Sequence, residues 1–227
     1  MITLEDARRI IAAAEKKATE ITPDNFAFWI QRYGVGDRET FDRFLASGVD
    51  VNADTGSLGR PLHVAIFGGN YSLLPRLLKA GADPRLGDKN GNTPLHLLAS
   101  QVWIVTTPEE RRAAADPTIK LLTAAGADVS APANDGSTPL HAAVKAKNRE
   151  MIEALLANKA NINAECRDNL DKFDGVTPLQ LAIDMNDKST EEYLRSKGAT
   201  VNRSFQAKRA MSNATRALIA PLFSGMH

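Results

Sequence analysis

The chain has 227 residues, of which 43% are hydrophobic and 24% are charged, and its 28 lysines and arginines nearly balance its 27 acidic residues at a net charge of +1. This composition suits a soluble chain with a filled core, and no apolar run approaches the roughly 20 residues that would span a bilayer. A single cysteine, Cys166, excludes an internal disulfide framework and is typical of a reducing compartment, so we expect a cytoplasmic protein.

Residues 1–21 are predicted to form an N-terminal helix. Thr3 and Asp6 make a start that resembles a capping box, and the apolar residues that follow recur at helical spacing: Leu4, Ala7, Ile11, Ala14 and Ala18. Charged residues between positions 5 and 9 interrupt this apolar pattern, so we expect no signal peptide. A second helix start follows at Thr22-Pro23, where proline takes its favoured first position.

Two short motifs recur along the rest of the chain. The first is Arg60-Pro61-Leu62-His63, Thr93-Pro94-Leu95-His96, Thr138-Pro139-Leu140-His141 and Thr177-Pro178-Leu179-Gln180. The second is Gly48-Val49-Asp50, Gly81-Ala82-Asp83, Gly126-Ala127-Asp128 and Gly198-Ala199. The proline and the next glycine position lie 20 residues apart in three copies, although Lys159 replaces the glycine after Pro139. Recurrence at a fixed interval predicts stacked units that each pack on their neighbours.

This pair of motifs resembles that of the ankyrin repeat, a turn followed by two antiparallel helices of about 33 residues. The resemblance covers roughly residues 22 to 200. It implies an all-α solenoid of about five helix-turn-helix repeats with a capping helix at each end. We assign the repeats to residues 22–52, 53–85, 86–130, 131–163 and 164–202. The first repeat lacks the Thr-Pro-Leu-His motif, as expected of a terminal repeat with no neighbour on one side.

Each position of the motif has a structural role. Threonine caps the inner helix, proline fits its first turn, and leucine enters the core. In the ankyrin family the histidine ties neighbouring backbone segments together, so we assign no metal or acid–base role to His63, His96 and His141. The glycine of the second motif is expected to end the outer helix in a left-handed conformation, which would place Lys159 under strain.

The third repeat is 12 residues longer than the others, because Pro94 and Gly126 lie 32 residues apart. Within the excess, residues 107–110 read Thr-Pro-Glu-Glu, a helix start, and Asp116-Pro117 marks another. We therefore predict a short extra helix over residues 108–115 before the outer helix begins. Residues 103–105, Trp-Ile-Val, either pack this insertion against the repeats or present an exposed anchor to a partner.

The fifth repeat is preceded by six extra residues in the segment from Cys166 to Asp174. Its carboxylates are spaced three apart, unlike the alternating ligands of an EF-hand loop, so we predict no calcium site. A longer polar loop at the partner-facing edge fits the sequence better. The role of Cys166 stays open.

Residues 203–227 are predicted to form a C-terminal capping helix, with apolar residues at helical spacing up to Pro221: Phe205, Ala207, Met211, Ala214 and Leu218. No acidic residue occurs from Tyr193 onward while six basic residues do, which leaves residues 1–192 with a net charge of −5. These cations either complement helix ends and solubilise the cap or attract an anionic partner, such as nucleic acid or a membrane surface.

In the ankyrin family partners usually lie on the concave face, which is built from loop tips and inner helices. When the repeats are aligned by their shared motif, this surface corresponds to fifteen residues: Phe67, Lys89, Asn90, Asn92, Ser100, Gln101, Asn134, Asp135, Ser137, Lys145, Phe173, Asp174, Val176, Asp184 and Met185. Phe67, Phe173 and Met185 are the predicted anchors, because exposed apolar side chains favour burial in a complex.

The chain contains no phosphate-binding glycine loop, serine elbow, paired CxxC motif or His-Glu-x-x-His motif. We therefore predict a non-catalytic protein-binding module, without cofactor or metal, that acts as an adaptor, inhibitor or neutraliser. Its partner is expected to be a protein rather than nucleic acid, and the chain alone is expected to be monomeric. Two alternatives stay open: binding of an anionic partner through the basic C-terminal end, and an enzyme whose active residues are built across repeats.

Overall fold

The computed structural model describes residues 22, 26–27, 29–30, 38–55, 59–101, 108–167, 174–204 and 207. Its elements are α1 Arg38–Ala46, α2 Pro61–Phe67, a 3₁₀ turn Tyr71–Leu73, α3 Leu74–Lys79, α4 Pro94–Ser100, α5 Pro108–Ala124, α6 Pro139–Lys145, α7 Arg149–Ala157, β1 Cys166–Arg167, β2 Asp174–Val176, α8 Pro178–Asp184 and α9 Lys188–Ser196. Four predictions lie outside the described residues, wholly or in large part: the N-terminal helix, residues 103–105, residues 168–173 and the C-terminal helix.

The helices stack in two layers. The inner layer consists of the short helices α2, α4, α6 and α8, each packed on the next, while α5 packs on α7 in the outer layer. Within a repeat the inner helix contacts its outer helix, as α6 contacts α7 and α8 contacts α9. This arrangement confirms the predicted all-α solenoid of helix pairs.

Each inner helix begins as the motif predicts. Thr93, Thr138 and Thr177 are N-caps with extended backbone, and the following proline occupies the first turn. The motif leucines Leu62, Leu95, Leu140 and Leu179 are at most 3% exposed and belong to one continuous core. Burial of each such side chain contributes about 1.5–3 kcal/mol, so the repeated leucine is a main source of cohesion between repeats.

The outer helices end in left-handed residues. Gly48, Gly81, Gly126 and Gly198 have φ between 77° and 102°, and Lys159 has φ of 67°. The prediction that Lys159 is forced into the glycine conformation is therefore confirmed. Lys147 and Asn186, in the turns between inner and outer helices, also have positive φ.

The first repeat is closed by an aromatic cluster. Phe26 and Phe41 are fully buried, Phe44 and Trp29 are nearly so, and their ring centroids lie 5.3–6.5 Å apart. Arg76 of α3 lies over the Phe41 ring at 4.3 Å and links this repeat to the second. The large apolar residues of the degenerate repeat therefore do form core.

The prediction of a separate short helix at 108–115 is wrong, because α5 runs without interruption from Pro108 to Ala124 with Pro117 inside it. Proline in a helix interior removes one hydrogen bond, but contacts around it hold the turn. The Asp116 carboxylate accepts a hydrogen bond from Asn158 Nδ2 at 2.8 Å and pairs with Lys120 at 2.7 Å. Ile119 and Leu122 are fully buried beyond the proline, which anchors the remainder of the helix.

The loop before α8, the inner helix of the fifth repeat, contains β1 and β2. These strands form a two-stranded antiparallel ribbon in which Cys166 pairs with Val176. Both side chains are about 5% exposed, and Leu181 of α8 packs against them. Cys166 is therefore a buried residue of the loop's own small core.

Candidate functional site

A groove of about 610 Å³ lies between the loops and the inner helices of the third and fourth repeats. We call the loops 86–92, 131–137 and 164–176 the third, fourth and fifth fingers, after the repeat that each one opens. The groove is lined by Asn90, Asn92, Ser100, Asn134, Asp135, Ser137, Ala142, Lys145 and Ala146. Its volume falls within the usual range for a binding site, and seven of its nine lining residues have polar side chains.

The third finger is a tight hairpin held by Asp88. The Asp88 carboxylate accepts hydrogen bonds from the backbone N–H groups of Asn90 and Asn92, both at 2.9 Å. The Asp88 N–H donates to the Asn92 carbonyl at 2.9 Å and closes the hairpin. Gly91, with φ of 78°, makes the left-handed step at the tip that these bonds require. These bonds fix the backbone of Asn90 and Asn92 at the edge of the groove.

The fourth finger has the same shape and is bonded to the third. The Asp135 carboxylate accepts from the Ser137 N–H at 2.8 Å and from the Ser137 hydroxyl at 2.6 Å. The Asn134 N–H donates to the Asn90 carbonyl at 3.0 Å, and its Nδ2 atom donates to the Lys89 carbonyl at 3.2 Å. The two fingers therefore form one continuous wall.

Buried histidines join this wall to the inner helices. Each donates a hydrogen bond from Nε2 to a carbonyl in the next finger: His63 to Asn92 at 2.8 Å, His96 to Ser137 at 2.9 Å, and His141 to Val176 at 3.1 Å. Since a carbonyl only accepts, Nε2 carries the proton and Nδ1 is the acceptor. These bonds confirm the structural role predicted for all three histidines.

The Nδ1 atoms of these histidines differ in their surroundings. Those of His96 and His141 accept from the backbone N–H of Thr93 and Thr138, both at 3.1 Å. In the second repeat Arg60 replaces the threonine, and His63 Nδ1 has no hydrogen-bond partner among the described residues. Arg60 instead donates from Nε to the Gly87 carbonyl at 3.0 Å, so it ties its own repeat to the third finger.

Burial keeps these imidazoles neutral. It lowers the pKa of His141 to about 4, although the hydrogen bond to the Val176 carbonyl opposes this effect and the Lys145 cation reinforces it. Burial likewise lowers the pKa of His63 and of His96, against the hydrogen bonds to Asn92 and Ser137. Neutral rings suit a structural tie, and those of His96 and His141 are hydrogen-bonded through both ring nitrogens.

The opposite wall of the groove is formed by inner-helix residues. Ala142 and Ala146 lie one turn apart and leave space above α6, while Ser100 and Lys145 are the last residues of α4 and α6. Among the described residues no salt bridge joins Lys145, whereas Asp135 on the finger wall is hydrogen-bonded twice by Ser137. Partial burial opposes ionisation of Asp135, but the Ser137 hydrogen bonds and the Lys145 charge hold its pKa below the usual value. The groove thus contains one satisfied anion and one available cation.

Seven of the nine residues that line the groove were among the fifteen predicted from register. Lys89 is exposed beside the groove and Asp184 is exposed at the end of α8, while Met185 is partly buried at its C-cap. Phe67, at 64%, is the exposed large hydrophobic residue of the described chain. Asp174 starts β2, and Phe173 lies outside the described residues.

Three of the predicted residues are less accessible than expected. Val176 is 5% exposed because it packs with Cys166 and Leu181, and Ser137 is 7% exposed and hydrogen-bonded to Asp135. Gln101 is used internally, since its side chain accepts from the Tyr71 hydroxyl at 3.0 Å and donates to the Ile66 carbonyl at 2.8 Å. We therefore omit Val176 and Gln101 from the candidate surface.

Ala142 and Ala146 were not predicted from the sequence, because large or polar side chains were expected at a binding surface. Their four-residue spacing, ending beside Lys145 on one face of α6, is the signal that could have indicated a groove floor.

Two smaller depressions flank other parts of the stack. One, of about 360 Å³, lies behind the fourth finger beside Cys166, and the other, of about 550 Å³, lies between α5 and α7. Throughout the described ranges, no three His, Cys, Asp or Glu side chains are grouped so as to hold a metal ion. In the same ranges we find no helix with the length and hydropathy required to cross a membrane.

Comparison with known families gives two matches that together span most of the stack. A model described as "Ankyrin repeats (3 copies)" matches residues 111–204, and one described as "Ankyrin repeats (many copies)" matches residues 45–98.

Among curated proteins, the chain is 32% identical over 167 residues to B-cell lymphoma 3 protein of Homo sapiens, covering 71% of this chain and 32% of that protein. It is 33% identical over 132 residues to ankyrin repeat and SOCS box protein 5 of Mus musculus, covering 58% and 36%. It is 32% identical over 165 residues to phosphocholine transferase AnkX of Legionella pneumophila, covering 72% and 16%. The chain thus spans about a third or less of the length of these relatives.

Proposed function

Because the chain belongs to the ankyrin repeat family, we propose that it is a non-catalytic protein-binding module whose groove takes a segment of another protein. In this role it acts as an adaptor, inhibitor or neutraliser of that partner, and it is monomeric when alone. The observation that carries this proposal is the groove between the third and fourth fingers and α4 and α6, lined by seven residues that register had assigned to partner binding.

The chemistry of the groove suits a polypeptide. Asn90, Asn92 and Asn134 line its finger wall. A side-chain amide offers both donors and an acceptor, so it can pair with the N–H and C=O groups of a peptide backbone. The Asn90 side chain has no hydrogen-bond partner among the described residues and keeps all of this capacity for an incoming chain.

The groove is also rigid before any partner arrives. His96 fastens α4 to the fourth finger, and Asn134 fastens that finger to the third. Walls that are already hydrogen-bonded lose little conformational entropy on binding, and this raises the affinity available from a modest contact area.

The relative named as a phosphocholine transferase does not lead us to propose an enzyme. The chain corresponds to only 16% of that protein's length. Function follows from a site rather than from a fold, and the site described above has the character of a recognition surface.

The proposal is tested by blocking the groove. Ser100 is exposed at the end of α4, where its hydroxyl donates to the Leu97 carbonyl at 3.0 Å, and Ser100→Arg would fill the space above Ala142 and Ala146. Ser196→Arg is a matched control, because Ser196 is the exposed last residue of α9 and its hydroxyl makes the same bond, to Tyr193 at 2.7 Å. Partners captured from source lysate are identified by mass spectrometry and then titrated against the three purified chains.

We expect the wild type and Ser196→Arg to retain the same partner and Ser100→Arg to lose it. A partner that binds Ser100→Arg as tightly as the wild type uses another surface, and the groove assignment would then be wrong.

A further inference from the structure

The four inner helices end at equivalent positions. Each has seven residues and begins at the motif proline, so Phe67, Ser100, Lys145 and Asp184 are their last residues. All four are exposed, and Ser100 and Lys145 line the groove. We call these four residues the end row. The second to fifth repeats therefore each present a different side chain to a bound segment: an aromatic ring, a small hydroxyl, a cation and an anion.

The charges of the end row are placed so that a partner can read them. Lys145 has no salt bridge within the described chain, and the acid across the groove, Asp135, is already bonded to the Ser137 N–H and hydroxyl. An acidic side chain from a partner is therefore the group that Lys145 lacks. Asp184 follows on the next helix, where Gln180 Nε2 donates to its carboxylate at 2.9 Å and positions it, and this anion favours a basic side chain.

The repeat distance selects the conformation of the segment. Axes of packed helices lie about 8–10 Å apart. A polyproline II helix has three residues per turn and rises about 3.1 Å per residue, so every third side chain returns to the same face after about 9 Å. In a β-strand the side chains alternate faces at every residue. Residues three apart would therefore point to opposite faces, and every second contact would be turned away from the end row.

We propose that the groove, together with the parts of the end row on either side of it, recognises an extended, polyproline II-like segment whose apolar, acidic and basic side chains lie on one face in that order, opposite Phe67, Lys145 and Asp184. This inference rests on the proposed function. The spacing along the segment is six residues from the apolar to the acidic side chain and three from the acidic to the basic one. The intervening position lies opposite Ser100, whose small side chain lines the groove, and it accepts a range of side chains.

The test uses a phage-displayed library of random 15-residue peptides selected on four purified chains. These are the wild type, the charge swap Lys145→Glu with Asp184→Lys, the blocked groove Ser100→Arg, and the control Ser196→Arg. The substituted residues are exposed, and thermal melts of all four chains verify that each one is folded. Selection on the wild type and on the control should enrich the apolar, acidic and basic order in one polarity.

Selection on the charge swap should enrich the reversed order of charges, and wild-type peptides should bind the swap at least about tenfold more weakly. Peptides that require an open groove but show no charge order, or an order that the swap leaves unchanged, overturn this inference and leave the proposed function standing. If no peptide is enriched, both this inference and the proposed function are wrong. The same holds if the enriched peptides bind Ser100→Arg as tightly as the wild type.

Discussion

The backbone of Gly91 in the third finger lies so close to Asn134 in the fourth that a Cβ atom on Gly91 would sit 2.5 Å from the Asn134 Oδ1 atom and 2.8 Å from its backbone nitrogen. Contacts this short do not occur for real Cβ atoms, so glycine at this position is required by the neighbouring repeat as well as by its own positive φ. The wall of the groove depends on this approach, because the hydrogen bond from Asn134 N–H to the Asn90 carbonyl spans the same junction.

Gly91→Ala should therefore lower the free energy of unfolding by roughly 2–4 kcal/mol, from left-handed strain and from steric overlap together. Gly48→Ala is the matched control, since Gly48 has φ of 77° but nothing within 4 Å of its Cβ position. It should lose only about 1 kcal/mol. Urea denaturation of both variants measures the difference, and equal losses would mean that the finger junction yields at little cost.

Lys159→Gly should raise the stability of the protein. Lys159 holds φ of 67° at the end of α7, where the other repeats have glycine, and relief of this strain contributes about 1 kcal/mol. For a chain of this size the melting temperature should rise by about 2–4 °C. Lys120→Gly, inside helix α5, should shift it in the opposite direction, because glycine weakens a helix interior. Calorimetry decides the sign, and a lower melting temperature for Lys159→Gly would contradict the strain argument.

Acidification should destabilise the stack through its buried histidines. The unfolded chain takes up protons near the ordinary histidine pKa of 6.5, whereas folded His141 does so only near its pKa of about 4. The stability that His141 contributes is therefore complete above pH 6.5 and declines as the pH falls toward 4, by up to about 3 kcal/mol. His63 and His96, whose pKa values are also lowered, add to the decline.

The measurement for this third prediction is the free energy of unfolding between pH 7.5 and pH 4.5. His141→Gln places in the fourth repeat the residue that Gln180 provides in the fifth, and it cannot titrate. The variant should be less stable at neutral pH but lose less stability on acidification. An unchanged slope would show that His141 is not a source of the pH dependence.

Phe67→Ala and Leu140→Ala should separate binding from folding. Phe67 is 64% exposed, so its truncation should change stability by less than about 0.5 kcal/mol and weaken partner binding by roughly 1–3 kcal/mol. Leu140 is fully buried in the core, and its truncation should cost about 2–5 kcal/mol of stability. Chemical denaturation and titration with the captured partner test the pair. A large stability loss for Phe67→Ala would place this side chain in the core instead.

The sequence predicts those features that the repeated motif itself specifies. The proline start of each inner helix, the histidine ties and the left-handed Lys159 all follow from the motif, and most of the groove lining follows from register. Contacts between repeats that involve residues outside the motif were not predicted. Helix α5 continues through Pro117 because Asn158, in the next repeat, holds Asp116. Gln101 is committed to Tyr71 and Ile66 of the preceding repeat, which no pattern local to Gln101 indicates.

The three histidine bonds all point in one direction, from an inner helix to the finger that comes next in the chain. During synthesis, therefore, each histidine leaves the ribosome before the carbonyl to which it donates. Its hydrogen bond can form only after the next finger has been released. A folded repeat array can begin to form at any unit, but during synthesis the N-terminal repeats leave the ribosome first. The same bonds that shape the groove therefore become available in chain order while the protein is synthesised.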